Sequence, residues 1–172
     1  RIVEALLEID SHNGGQKIQS YESILFSDNP SRAVYATYEY TFPMQLAKLA
    51  SLIEADFVNR GIKKPLYCFT VVDSKKAILE LSSHEFQKLY GWSTERAMIF
   101  TKVTTGKSPL VAIRVTNLKP GAVVIHGLRG NEVDPMAKKM AEIDRLPLLA
   151  TTMDIDQLIE NLKKYSQYHV ME

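Results

Sequence analysis

In the last third of the chain two apolar stretches each run into the opening of a helix. AVVIH (residues 122–126) leads to Asp134-Pro135, and LPLLATT (residues 146–152) leads to Asp154 with Gln157 one turn further on. An aspartate just before a helix accepts a hydrogen bond from a first-turn amide, and proline suits the first helical position because no partner awaits its missing N–H. Ile155, Leu158, Ile159, Leu162 and Tyr165 then form a phased apolar stripe along a closing helix. The order is β-α-β-α. Neighbouring strands joined through a helix must be parallel, with a right-handed crossover and helices covering the sheet.

This unit sets the expected class: α/β, with a C-terminal β-α-β-α unit of parallel strands packed on a mixed α+β N-terminal part. Leu118-Lys119-Pro120-Gly121 marks the boundary, dividing the chain into residues 1–117 and 118–172, as two parts or as one continuous domain.

The N-terminal part reads less regularly. Ile2, Val3, Leu6 and Leu7 predict a helix ending near residue 10, before Ser11-His12-Asn13-Gly14-Gly15. AVYATYEYT alternates, with Val34, Ala36, Tyr38 and Tyr40 on one face, and predicts a strand. From Pro43 a helix is expected, with Leu46, Leu49, Ala50, Ile53 and Phe57 on its apolar stripe and Gly61 at its end. LYCFTVV (residues 66–72) is apolar on both faces and predicts a central strand. AILEL (77–81) is expected as the neighbouring strand after a turn at Asp73-Ser74-Lys75-Lys76. Ser82 with Glu85 forms a capping-box pattern for a short helix through Tyr90. MIFTKV and LVAIRV (98–103 and 110–115) read as two more strands.

Composition narrows the function. With 45% hydrophobic residues the chain can bury a core, and 21 basic against 20 acidic residues leave a net charge of +1. Such a balance gives no global field for nucleic acid or an anionic membrane, so any DNA contact is expected only through an additional upstream domain. The single cysteine, Cys68, excludes an internal disulfide framework and makes a reducing, cytoplasmic location the expectation. No continuous apolar run approaches the eighteen or so residues of a membrane span. The sequence opens on Arg1 rather than methionine, which points to a processed product or the excised part of a longer chain.

Gly106-Lys107-Ser108 matches the end of a phosphate loop, but the position of its first glycine holds Thr101, and Pro109 with a β-type run follows. The expectation is a polar strand connection with no ATP hydrolysis. His12, His84, His126 and His169 have no helical-spacing partner among themselves, so no metal site is expected, and no cofactor motif is present. Cys68 in an apolar strand reads as a buried thiol. Ser82, Ser83 and Ser93 read as caps.

HGLRGN remains, at the carboxyl end of a parallel strand, where open α/β sheets bind ligands. His126, Gly127, Arg129, Gly130 and Asn131, with Thr151 and Thr152 from the next strand end, form the candidate ligand-binding set. Gly127 and Gly130 permit positive φ and close backbone approach, and Arg129 offers a bidentate grip on a carboxylate or phosphate. The ligand class expected is a small anionic metabolite, a nucleotide or an acidic group of a partner. Glu132 and Asp134 oppose it.

The segment from Pro120 to Tyr165 resembles the final β-α-β-α part of the N-terminal domain of HPr kinase/phosphorylase and of the related DRTGG domains. The features that correspond are Val123-Val124-Ile125, the turn Gly127-Leu128-Arg129-Gly130, the helix from Pro135, Leu148-Leu149, Thr151-Thr152 and the helix from Asp154. The likeness covers less than a third of the chain, and the DRTGG string itself does not occur. It implies a non-catalytic regulatory domain, because phosphate transfer in the kinase family belongs to a separate P-loop domain. Similar domains occur beside DNA-binding or nucleotide-sensing modules, so the resemblance implies the effector part of a longer regulator. Two other classes stay open. A homo-oligomerisation or interaction module would use the strand with Tyr35, Tyr38, Tyr40 and Phe42, or the first helix. A small-molecule enzyme would need His126, Asp154 and Arg129 to meet.

Overall fold

The computed structural model describes residues 33–80, 82, 85, 94–116 and 118–170. The expected first helix and most of the helix after Ser82 lie outside them. Its capping box is present, with the Ser82 amide 3.1 Å from Glu85 Oε1 and the Glu85 amide 3.2 Å from Ser82 Oγ.

Chain order runs β1 (Val34–Met44), α1 (Leu46–Leu52), β2 (Asp56–Asn59), β3 (Leu66–Asp73), α2 (Ser74–Glu80), β4 (Arg96–Thr101), α3 (Lys107–Arg114), β5 (Ala122–His126), α4 (Pro135–Ile143), β6 (Leu148–Thr151) and α5 (Ile155–Val170). The strands form one six-stranded sheet in the order β1-β3-β4-β5-β6-β2. β3, β4, β5 and β6 are parallel neighbours, and β1 and β2 pair antiparallel at the two edges. The class is α/β. Because β4 pairs with β5 and β2 with β6, strands from before and after residue 118 share this sheet.

Strand alternation divides the core. Met98, Phe100, Val123, Ile125, Leu148 and Ala150 face α2, α3 and α4, where Ala77, Leu110, Ile113, Ala137 and Met140 meet them. Ala97, Ile99, Ala122, Val124 and Leu149 face α1 and α5, meeting Leu46, Leu49, Leu158, Leu162 and Tyr165. Burial on both faces explains why the central strands are apolar throughout, and each fully buried Ile, Leu or Phe contributes about 1.5–3 kcal/mol.

Four expectations for the N-terminal part are corrected. Of the strand expected over residues 77–81, residues 77–80 are helical: α2 spans Ser74–Glu80, capped by Asp73, whose Oδ1 accepts from the Lys76 amide at 3.0 Å, and residue 81 lies outside the described residues. Nor is the run after Pro109 β-type, since α3 spans Lys107–Arg114 and buries Pro109, Leu110 and Ile113 on one face. Proline is tolerated there because it lies in the first turn. The helix expected from Pro43 to Phe57 runs only over Leu46–Leu52, while Phe57 belongs to β2. Glu54 at φ 51° turns the chain between them. In β1 a register shift between Val34 and Ala36 puts Val34 on the α2–α4 side and Ala36, Tyr38 and Tyr40 on the other. A bulge does this by adding one residue to one strand, which moves the following side chains to the opposite face.

Two ends of one sheet edge

The parallel strands β3, β4, β5 and β6 end along one edge at Asp73, Thr101, His126 and Thr151. The edge has a β5–β6 end and a β3–β4 end, and their polar groups are used differently.

At the β5–β6 end His126 pairs across from Thr151, so the two loops of the candidate set are adjacent. The Gly127 amide donates to Thr151 O at 2.8 Å, with Gly127 at φ 102°. The ring of His126 places Nε2 2.7 Å from Met153 O. Thr151 is 2% exposed, and its hydroxyl donates to Ile53 O at 2.6 Å and accepts from the Met153 amide at 3.1 Å. Asn131 and Thr152 are exposed on the rim. Thus His126 and Thr151 bind the β6–α5 and α1–β2 connections.

Asp56, at the start of β2, is the residue of this end that sequence reasoning missed. Its Oδ2 accepts from the Gly130 amide at 2.9 Å, and its Oδ1 lies 3.5 Å from the Arg129 guanidinium. The Arg129 amide donates to Glu132 Oε1 at 2.8 Å. A Cβ at Gly130 would stand 2.9 Å from Asp56 Cβ, so glycine is needed for close approach. A carboxylate of the protein itself therefore sits against this glycine–arginine turn. Arg129 keeps 58% of its side-chain surface exposed. The only early signal was an acidic residue in the segment read as helix, with nothing local to link it to a turn so distant in sequence.

The β3–β4 end is hollow. Ser74 and Lys75 on one side and Lys102, Thr104, Gly106 and Ser108 on the other line a cavity of about 430 Å³. Asp73 is 1% exposed in its side chain and pairs with the Lys102 ammonium at 2.8 Å. Burial pushes the Asp73 carboxyl up, but the bonds from the Lys102 ammonium and the Lys76 amide, with the charge of both lysines, outweigh it and hold the group below the ordinary carboxylate range. The bond to Asp73 and the contact with Tyr35 pull Lys102 up in turn. Ser74 is 3% exposed, and its hydroxyl has no hydrogen-bond partner among the described residues. Lys75, Thr104 and Ser108 are exposed.

His126, Asp154 and Arg129 do not form a catalytic group. Among the described residues no hydrogen bond or ion pair joins them: His126 meets Met153 O, Arg129 meets Asp56, and Asp154 caps α5 by accepting from the Gln157 amide at 3.2 Å. Cys68 is buried, and desolvation pushes its thiol up to about 11 against the opposing pull of Arg96. A thiol so shifted carries little thiolate at neutral pH. None of the helices among the described residues is long and apolar enough to cross a membrane.

A three-layer α/β domain with a polar carboxyl edge is an architecture shared by many binding domains, and relatives narrow it further. The chain matches no family model and no solved structure. It is 43% identical over 165 residues to an uncharacterised HTH-type transcriptional regulator of Methanocaldococcus jannaschii, covering 95% of this chain and 68% of that protein. A second, from Archaeoglobus fulgidus, is 43% identical over 164 residues, covering 95% of this chain and 70% of the relative. The chain belongs to this family of HTH-type transcriptional regulators.

Proposed function

We propose that residues 33–170 are the effector domain of a DNA-binding regulator, holding a small anionic ligand at the carboxyl edge of the sheet without turning it over. The supporting observation is that 95% of this chain aligns with regulators named for a helix-turn-helix, while covering 68% of one of them. The β5-α4-β6-α5 order also agrees with the regulatory-domain resemblance. Arg129 is assigned to the ligand, trading its exposed 3.5 Å contact with Asp56 for a carboxylate or phosphate. Gly127, Gly130, Asn131 and Thr152 form the rim, and His126 and Thr151 hold it in shape.

A metabolite screen by thermal shift, run on wild type and Arg129→Ala together, tests this. A stabilising anion whose affinity falls by about 1.5–3 kcal/mol in the variant, with the melting temperature of the free protein unchanged, is the expected result. Turnover of a bound compound that is abolished by His126→Ala would contradict the non-enzymatic reading.

A second reading, self-association, is favoured by β1. This eleven-residue strand lies at the sheet edge with Tyr35 exposed, and among the described residues it pairs only with β3. A long edge strand is a template for pairing with another chain. Sedimentation should show at least a dimer, and a monomer at tens of micromolar, on the order of what weak dimers need, would remove this reading.

A further inference from the structure

We infer that the hollow at the β3–β4 end is a binding site for the phosphate group of a small phosphorylated metabolite. This site is separate from the Arg129 end and does not depend on that assignment.

Three independent observations meet there. The first is space: about 430 Å³ falls within the range of small-ligand pockets and exceeds what a bare oxyanion fills, so an organic body is expected behind the phosphate. Donors with positive or neutral character are the second. Lys75 is exposed and lines the cavity, and Lys102, whose ammonium pairs with Asp73, lines it too. The Asp73 charge is already met by Lys102 at 2.8 Å and by the Lys76 amide at 3.0 Å, which limits its repulsion of an anion. α3 begins at Lys107 behind Gly106, where the Thr105 hydroxyl accepts from the Lys107 amide at a long 3.4 Å, and Pro109 has no N–H in that turn. The positive end of an eight-residue helix thus opens beside the cavity.

The third observation is Ser74. A buried hydroxyl without a partner is costly and is rare in folded proteins. Ser74 Oγ is buried, lacks a partner among the described residues and belongs to a residue on the cavity wall. Ser74 Oγ is closed to solvent contact, so a phosphate oxygen in the hollow would accept from it once the Ser74 side chain turned toward the cavity. The hydroxyls of Thr104 and Ser108 across the cavity add donors to the remaining oxygens. Carboxylates have two oxygens to offer, whereas phosphate has three or four, which suits donors arriving from two loops.

Isothermal titration of the whole chain with inorganic phosphate, ribose 5-phosphate and ribose tests the site. Saturable binding of inorganic phosphate is expected, with tighter binding of ribose 5-phosphate if an ester is the ligand and equal binding if free phosphate is. Ribose should not bind. Lys75→Ala, an exposed position, should weaken phosphate about tenfold, as loss of a charge-assisted contact does. Ser74→Ala should weaken it while leaving the melting temperature of the free protein equal or higher, which a merely structural hydroxyl would not do. No saturable phosphate binding, or binding unaffected by both substitutions, overturns the proposal. Phosphate binding lost in Arg129→Ala and kept in Lys75→Ala would overturn it too, in favour of the other end. Failure of the metabolite screen at Arg129 leaves these outcomes unaltered.

Discussion

The β5–β6 and β3–β4 ends of the sheet edge pose the same problem, polar groups gathered at the carboxyl ends of parallel strands, and answer it in opposite ways. At β5–β6 the turn amide and guanidinium face a carboxylate of the protein, Asp56, and the threonine hydroxyl is spent on Ile53 O. At β3–β4 the internal carboxylate is taken by Lys102, and a cavity and the Ser74 hydroxyl are left over. Whether a glycine-flanked cation is a site depends on what the rest of the chain brings to it. A satisfied loop contributes stability, and an unsatisfied one is where a ligand has something to gain.

The largest expected effect tests how fully the β5–β6 end is satisfied. Thr151→Val removes a buried donor and acceptor from Ile53 O and the Met153 amide and should cost about 2–3 kcal/mol by chemical denaturation. A loss under about 0.5 kcal/mol, the scatter of ordinary surface changes, would mean that these bonds do not hold the end together.

Asp56→Ala comes next. It should cost about 1 kcal/mol, because water replaces part of what the half-exposed carboxylate supplied to Gly130 and Arg129. The same variant should strengthen anion binding at Arg129, and unchanged anion affinity would show that Asp56 does not compete there. At the other end Ser74→Ala should stay within about 0.5 kcal/mol of wild type or gain stability, since its hydroxyl has no partner to lose. A loss beyond about 1 kcal/mol, the worth of an ordinary hydrogen bond, would mean that the Ser74 hydroxyl is bonded in the free protein.

The smallest effect is on pH. With the folded Asp73 held below its unfolded value of about 3.9, its contribution is complete above that value and is lost as pH falls through the lower folded one. Lys102, shifted up, contributes fully below the ordinary lysine range and loses its share above it. Asp73→Asn should therefore flatten part of the acid limb of the stability curve. An unchanged limb would place the acid sensitivity elsewhere.

The sequence carried the β5-α4-β6-α5 unit because local chemistry marks its boundaries: Asp134 does accept from the Met136 amide at 2.7 Å beside Pro135, and Asp154 caps α5. α2 and α3 were illegible for a related reason. The apolar positions of LVAIRV fit a strand and a helix equally, and what decides is that Leu110 and Ile113 can cover the sheet while Val111 and Val115 stay exposed. That arbitration belongs to the tertiary fold. Misreading α3 also hid the cavity, because a strand after Gly106 would have no helix start to offer. Asp56 escaped for want of any local signal. Glu54 in the left-handed region, which ends the helix expected to run past it, has no side-chain feature that sequence pattern alone exposes.

The contrast between the ends is tested most directly by backbone amide chemical shifts while inorganic phosphate is added to the whole chain. The account predicts saturable movement of Ser74, Lys75 and residues 104–108 at lower phosphate concentration than any movement of residues 127–131, where Asp56 must first be displaced. Movement confined to 127–131, with 74, 75 and 104–108 still, would contradict it.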